Sequence, residues 1–499
     1  MRMSRSALLV PVVCILCACG AVAKSDDTDT SAPPQQEGAT ASTGTDPDEP
    51  VVLLPAPDRR QEVADVAPAA PSFADSAHPL GHVEAPVTIP QVLPPEPEWS
   101  TVQAPPPPRA FDLRATKRVS AIRDQLACGS CWAFAALGSS ESALLPREPL
   151  DLSEEHMNLG HAFDVPPCKG GNSLMATAYL ARGTGPMTER QVPYTGTVKK
   201  LPTGLVPTKY LKEALTFPNR LSATDNTTLK NAIISYGAVY TTMRWSNEAW
   251  RSSTYAFVDP GPRSSANHAV MLVGWDDDFP ASRFTRAPKG NGAFLVRNSW
   301  GAGFGDKGYF WISYHDAYVG RDNAAFVSFA SAKDYDTVYQ HDTYGQTTAV
   351  SYGYPTTYAG NIFTATDNGS LAAVGYYTTA PQSIVQVAVY DQPVKTPNAG
   401  KLLRTANATV PWAGYHTVTF PAPAIPLRKG QVFGVVVRIT APTAASYVSL
   451  EFPFAGYSSK VVARAGRSFV GVDGRVWVDT ASTWKANAPI KAYAKRTVP

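Results

Sequence analysis

Ile122-Arg123-Asp124-Gln125-Leu126-Ala127-Cys128-Gly129-Ser130-Cys131-Trp132-Ala133-Phe134 is the stretch from which the rest of the chain can be read. Cys131 opens a run from Trp132 to Leu145 that is apolar on nearly all sides apart from Gly138 to Ser142, and Pro146 stops it. That pattern predicts a buried helix beginning at the cysteine. A thiol there lies on the positive end of the helix dipole, which favours the thiolate, the nucleophilic form.

Working outward, three more stretches stand out, together with one residue of the first. Ala110-Phe111-Asp112-Leu113-Arg114 precedes the cysteine, Gln125 lies six residues before it, and Asn267-His268-Ala269-Val270-Met271-Leu272-Val273-Gly274-Trp275 is an apolar run of strand character with one histidine at its start. Asn298-Ser299-Trp300-Gly301-Ala302-Gly303-Phe304-Gly305-Asp306-Lys307-Gly308-Tyr309 follows. Together with Cys-Gly-Ser-Cys-Trp these strings resemble the papain family of cysteine peptidases, and His268 falls about 140 positions after Cys131, within the roughly 130–150 expected of the base. The resemblance implies a two-lobed α+β peptidase, one lobe helical and one β-rich. It gives Cys131 the role of nucleophile and His268 that of proton shuttle. It makes Asn298 the acceptor that orients the imidazole, shielded by Trp300, and Gln125 an oxyanion donor that brings no charge. Phe304 stands where the family usually has tryptophan.

Cys168-Lys169-Gly170-Gly171 resembles the family segment whose cysteine pairs with the one three before the nucleophile, which implies a Cys128–Cys168 disulfide. Closing a loop of about 40 residues, it contributes roughly 4 kcal/mol in the chain-entropy model. Gly170 and Gly171, without side chains, allow an extended peptide to pair with their backbone as an edge strand, so with Trp300 they form the expected substrate-binding set. An ordinary glycine turn is the alternative. The cysteines of a second family disulfide are missing, so the wall around Gly160 to Phe163 is expected to differ. Leu152-Ser153-Glu154-Glu155 matches a family helix start capped by Ser153.

His268 and Asn298 are 30 positions apart, about twice the family's usual gap. The excess falls in Asp276 to Asn291, whose prolines, Gly290 and three consecutive aspartates read as an added surface loop.

Arg2 and Arg5 precede an apolar run from Ala7 to Leu16 that is too short to span a membrane and reads as an export signal. Leu16-Cys17-Ala18-Cys19 resembles a bacterial lipobox, which implies lipid on Cys19 and a membrane anchor; Ala21-Val22-Ala23 offers ordinary cleavage and a secreted product instead. With Cys14 and Cys17 removed and Cys19 acylated, Cys128, Cys131 and Cys168 remain, one disulfide plus one reactive thiol. The next stretch, to Pro108, is rich in Asp, Thr, Ala, Pro and Glu and reads as a disordered tether of about 85 residues spanning roughly 50 Å. It lacks the helical periodicity of the family's inhibitory pro-region. Leu80-Gly81-His82-Val83-Glu84-Ala85-Pro86-Val87 is less polar and resembles a short extended element of bacterial relatives, with plain linker as the alternative.

After Ala325-Phe326-Val327-Ser328-Phe329, the expected last peptidase strand, six short β-branched and aromatic runs remain: Leu371 to Thr379, Ile384 to Tyr390, His416 to Phe420, Gln431 to Ile439, Tyr447 to Phe452 and Arg475 to Val478. They predict an antiparallel sandwich. Tyr339-Gln340-His341-Asp342 and Ser351-Tyr352-Gly353-Tyr354 resemble the lectin-like domain that follows the peptidase in some bacterial and archaeal relatives, which implies a carbohydrate partner, with a separately folding brace against the peptidase as the alternative.

The expected organisation is a signal at 1–18, a tether at 19–107, a peptidase at 108–332 and a lectin-like sandwich at 333–499. A net charge of +3 with no basic–aromatic cluster argues against nucleic acid. No metal-ligand spacing or cofactor motif is found. The reading is an exported, surface-tethered cysteine endopeptidase acting on peptides or proteins. A cell-wall cysteine amidase or transpeptidase shares the nucleophile but not this set of strings. An inert adhesion or carbohydrate-binding protein has no reason to keep all four catalytic positions filled.

Overall fold

Cys131–Leu144 forms a helix (α1) that is buried almost all round, with Trp132, Ala133 and Leu137 fully inaccessible. Burying a side chain such as Leu137 contributes about 2 kcal/mol. The polar interruption is absorbed inside: Ser139 Oγ donates to the Ala238 carbonyl (2.7 Å) and Ser140 Oγ to that of Ala136 (2.9 Å). At Gly138 a Cβ would lie 2.5 Å from the Met271 methyl and from Arg297 Nη1, so a larger residue would have to push both side-chain ends aside. Glu154–Gly160 (α2) is capped by Ser153, whose Oγ accepts from His156 N (3.0 Å). Ser173–Ala181 (α3) is capped by Asn172. Packed on α1, these two helices complete the helical lobe.

The computed structural model describes residues 51–52, 78–88, 106–261, 265–443 and 445–497. The signal, Cys19 and most of the tether lie outside the described residues, and no described helix is long and apolar enough to cross a membrane.

In the β lobe, His268–Asp276 runs between Val239–Met243 and Ala293–Arg297, and Tyr309–Ser313 lies beyond. The last peptidase strand extends over Arg321–Ser331, and its other neighbour is Lys209–Phe217. There the sheet does not stop. Lys209–Phe217 pairs through Ala214, Leu215 and Thr216 with Tyr415, Gly414 and Ala413 of the C-terminal half. From there the sheet runs on through Gly369–Thr378 and Lys491–Arg496 to Thr337–Tyr339. Among the described residues this is one 14-stranded sheet shared by both halves. A second sheet, Lys401–Val410, Ser383–Asp391, Val432–Thr440, Thr356–Thr364, Ser468–Gly471 and Val478–Asp479 in that order, completes the sandwich. Leu371, Val374, Val387, Val435 and Ala492 form the core between the two. The β-sandwich is therefore present, but one of its sheets continues that of the peptidase.

Two local expectations change. Arg475 and Val476 form a turn, both N–H groups held by Asp473 Oδ1, and only Val478–Asp479 is strand. The insertion at 276–291 is only partly a surface loop. It carries Phe279 and Phe284 into a small core with Ala256, Val258 and Ala293, and its Asp277 accepts from Tyr314 (2.7 Å) and pairs with Lys230 (2.5 Å).

Candidate active site

The cysteine at the first turn of α1 meets the first residues of strand His268–Asp276: Cys131 Sγ accepts from Ala269 N at 3.4 Å. Asn298 follows the neighbouring strand, whose register pairs Arg297 with Met271, so Asn298 and His268 emerge at the same end of the sheet. His268 Nε2 meets Asn298 Oδ1 at 2.9 Å, leaving Nδ1 without a protein partner. The Trp300 ring lies almost flat over the imidazole, 4.8 Å between centroids at 27°, and excludes water from that bond. Phe304 packs edge-on against Trp300 at 4.9 Å. Gln125 Oε1 accepts from Ser299 Oγ (2.6 Å) and Trp300 Nε1 (3.2 Å). Its amide can therefore turn only one way, with Nε2 toward the groove.

The expected disulfide Cys128–Cys168 is formed and Cys131 is the free cysteine among the described residues. Gly170 has φ +114°, and a Cβ on Gly171 would lie 2.5 Å from the Trp132 indole. The structure thus brings Gln125, Cys131, His268, Asn298, Trp300, Gly170 and Gly171 to one groove.

That groove is filled by the chain itself. Gly171 N donates to Gly81 O (3.1 Å) and Val83 N to Gly171 O (3.0 Å), a parallel bridge across from His82. His82 N also donates to Asn267 O (3.1 Å), and Pro79 O accepts from Gln125 Nε2 at 2.7 Å. Of the two readings of Leu80 to Val87, the short extended element holds and plain linker does not: it is an extended strap. Cys131 Sγ meets the N–H of Gly81, so the strap lies across the thiol. A Cβ at Gly81 would lie 2.2 Å from Gly129 O, which is why the strap carries glycine there.

Burial under the strap pushes the Cys131 thiol up to about 11, with the hydrogen bonds from Ala269 and Gly81 opposing, and pulls His268 down to about 4 against the support of Asn298. The closed site therefore holds a neutral pair. Desolvation also lowers His82, which has Asp322 as its leading opposing charge.

Sequence reasoning missed Asn172, whose Nδ2 donates to Val83 O at 3.0 Å, and Tyr457, whose hydroxyl reaches Asn172 Oδ1 at 3.1 Å from the C-terminal half. Asn172 directly follows Gly171, a signal available in the sequence. Tyr457 offered none. The wall that lacks the second disulfide is braced from that half as well: Phe163 packs edge-on against Tyr344 (5.0 Å) and Tyr457 (4.9 Å).

A helical lobe and a β lobe meeting at a Cys–His–Asn line, with an amide donor beside the thiol, define a papain-like cysteine peptidase domain. The comparisons agree. Residues 107–329 match the papain family cysteine protease and residues 338–494 the lectin like domain. Among curated relatives, a cysteine protease of Blomia tropicalis is 29% identical over 45% of this chain and 66% of its own length. A viral cathepsin of Adoxophyes honmai nucleopolyhedrovirus is 30% identical over 44% and 61%. The chain thus spans no more than about two thirds of these relatives. Among solved structures, the cysteine protease and lectin-like domains of Cwp84, a surface layer associated protein of Clostridium difficile, superpose with a TM-score of 0.73 at 24% identity, covering 90% of this chain and 98% of that one. Cwp84 after propeptide cleavage gives 0.67 at 26%, covering 78% and 99%. The chain carries a papain-family cysteine protease domain followed by a lectin-like domain.

Proposed function

We propose that the chain is an exported cysteine endopeptidase that hydrolyses peptide bonds through a Cys131 thioester and is made with its groove closed by residues 79–83. The observation that carries this reading is the convergence of Cys131, His268, Asn298 and the groove-facing Nε2 of Gln125 on one point where a backbone carbonyl, that of Pro79, is already held. Once the strap leaves and water rehydrates the pair, the thiol's proton passes to His268, with the helix dipole favouring thiolate. The thiolate attacks the scissile carbonyl, Gln125 Nε2 holds the developing oxyanion, and His268 gives its proton to the leaving amine. Water then attacks the thioester, returning the thiol and releasing the acid. Gly170 and Gly171 hold the substrate's backbone. Placement at the cell surface is supported by the likeness to Cwp84, and a lipid on Cys19 is the proposed anchor. Carbohydrate binding by the C-terminal half rests on the lectin-like match alone.

The test is hydrolysis of a mixed peptide library by the chain with its strap displaced, and its complete loss in Cys131→Ala. Wild-type turnover in that variant removes Cys131 as nucleophile. Metabolic labelling with a fatty acid in a lipoprotein-processing bacterium should mark Cys19; an unlabelled soluble product favours simple secretion.

A further inference from the structure

Asn172 sits at the junction of the groove and the C-terminal half, only 2% exposed, and every polar atom of its side chain is engaged. Oδ1 accepts from Met175 N at 3.0 Å as the cap of α3, and from Tyr457 OH at 3.1 Å. Nδ2 donates to Val83 O at 3.0 Å. Gly171 already pairs with the strap on both sides, so Asn172 adds one more rung to the same ladder. The helix cap alone fixes which end of the amide faces inward. The second bond, from Tyr457, occupies the other lone pair and fixes the amide plane, so that the N–H points at the backbone in the groove.

Tyr457 is itself held rigidly. Its carbonyl accepts from Asp164 N (2.9 Å), its ring packs edge-on against Phe163, and Ser459 N donates to Asp164 Oδ2 (2.7 Å). Within the turn, Tyr457 N and Ser458 N both donate to Phe454 O, and Ser458 Oγ donates to Phe452 O (2.8 Å). A residue at 4% exposure, on a loop pinned at both ends, has one hydroxyl, and that hydroxyl goes to the groove wall.

We propose that Tyr457 is a positioning residue of the peptide groove: the lectin-like half, through its hydroxyl, sets Asn172 as a donor to a peptide carbonyl adjoining the residue paired with Gly171. The groove thereby recognises an extended backbone at least one residue beyond the glycine pair, independent of side chain. This rests on reading the groove as a peptide site.

Binding separates it from catalysis. A synthetic peptide of residues 78–88 is titrated against the full chain carrying Gly81→Ala, which vacates the groove, with and without Tyr457→Phe. A peptide of residues 78–82, ending before Val83, is the control. Tyr457→Phe should weaken the long peptide about five-fold, the worth of one hydrogen bond, and leave the short one unchanged. In hydrolysis the same variant should raise KM for long substrates while kcat holds. Equal weakening of both peptides means a general structural role, and no change in either means that Asn172 needs no help; each overturns the proposal. Failure of the endopeptidase reading shows differently, as intact peptide binding without hydrolysis in the Gly81→Ala parent.

Discussion

Cys131 and His268 are held apart in protonation by the strap, and that sets a pH response different from that of an ordinary thiol. In the closed state His268 is pulled to about 4, below the ordinary value of about 6.5, and the thiol is pushed up to about 11, so the closed pair is neutral. Opening to thiolate and imidazolium moves one proton from sulfur to ring and exchanges none with solvent, so closure does not vary with pH around neutrality. On the alkaline side the opened pair gives up its proton while the closed thiol keeps its own, so closure weakens as pH rises from about 8.5 toward 11. Iodoacetamide labelling of Cys131 in the unprocessed chain should be slow and nearly flat between about pH 5 and pH 7 and rise toward about pH 10. A rate that drops tenfold per pH unit, as for a free thiol, contradicts this. The four residues that meet in the groove, Gln125, Cys131, His268 and Asn298, were legible because each sits in a short local string. Asn172 and Tyr457 were not, because what matters there is which residues meet, and 285 positions separate them.

The strap was half legible: Leu80 to Val87 stood out as a short extended element, but its seat in the groove did not. It has no periodicity to detect, and its hold on the groove runs through main-chain atoms of Pro79, Gly81, His82 and Val83 that any extended segment possesses. The one side-chain clue is a missing one, at Gly81. Since the obstacle to a methyl there is the Gly129 main chain, Gly81→Ala should expel the strap and raise peptide hydrolysis by the unprocessed chain about tenfold or more. Unchanged activity would mean that the strap does not limit access. Lys401–Val410 was overlooked because its alternation is faint: this edge strand turns Ala406 and Ala408 inward, which carry none of the β-branched or aromatic bulk that marked its neighbours. Its charge blunts an edge that would otherwise invite pairing.

At the scale of the molecule, the β-sandwich was legible from its alternating runs, but not its fusion to the peptidase through Ala413–Tyr415 and Ala214–Thr216. Hydrogen bonds between backbones leave no compositional trace. Around that seam Tyr493 OH donates to Ala181 O (2.9 Å), Gln340 Nε2 to Arg182 O (2.9 Å), and Trp412 packs edge-on against Phe217. Ending the chain after residue 332 should therefore expose a bare strand edge and these aromatic faces. The fragment is expected to aggregate, or to melt at least 10 °C or so below the parent by calorimetry. A soluble fragment with parental melting and turnover would make the C-terminal half a detachable module.

The seam also has a consequence in time. A ribosome delivers the strand at 209–217 long before its partner at 413–419, and Tyr457 later still, while the strap at 79–83 emerges ahead of everything it will cover. A nascent or prematurely terminated copy thus has its own stopper in hand before its cutting edge is assembled. The wall that Tyr457 braces is complete only in a molecule whose synthesis has passed that residue.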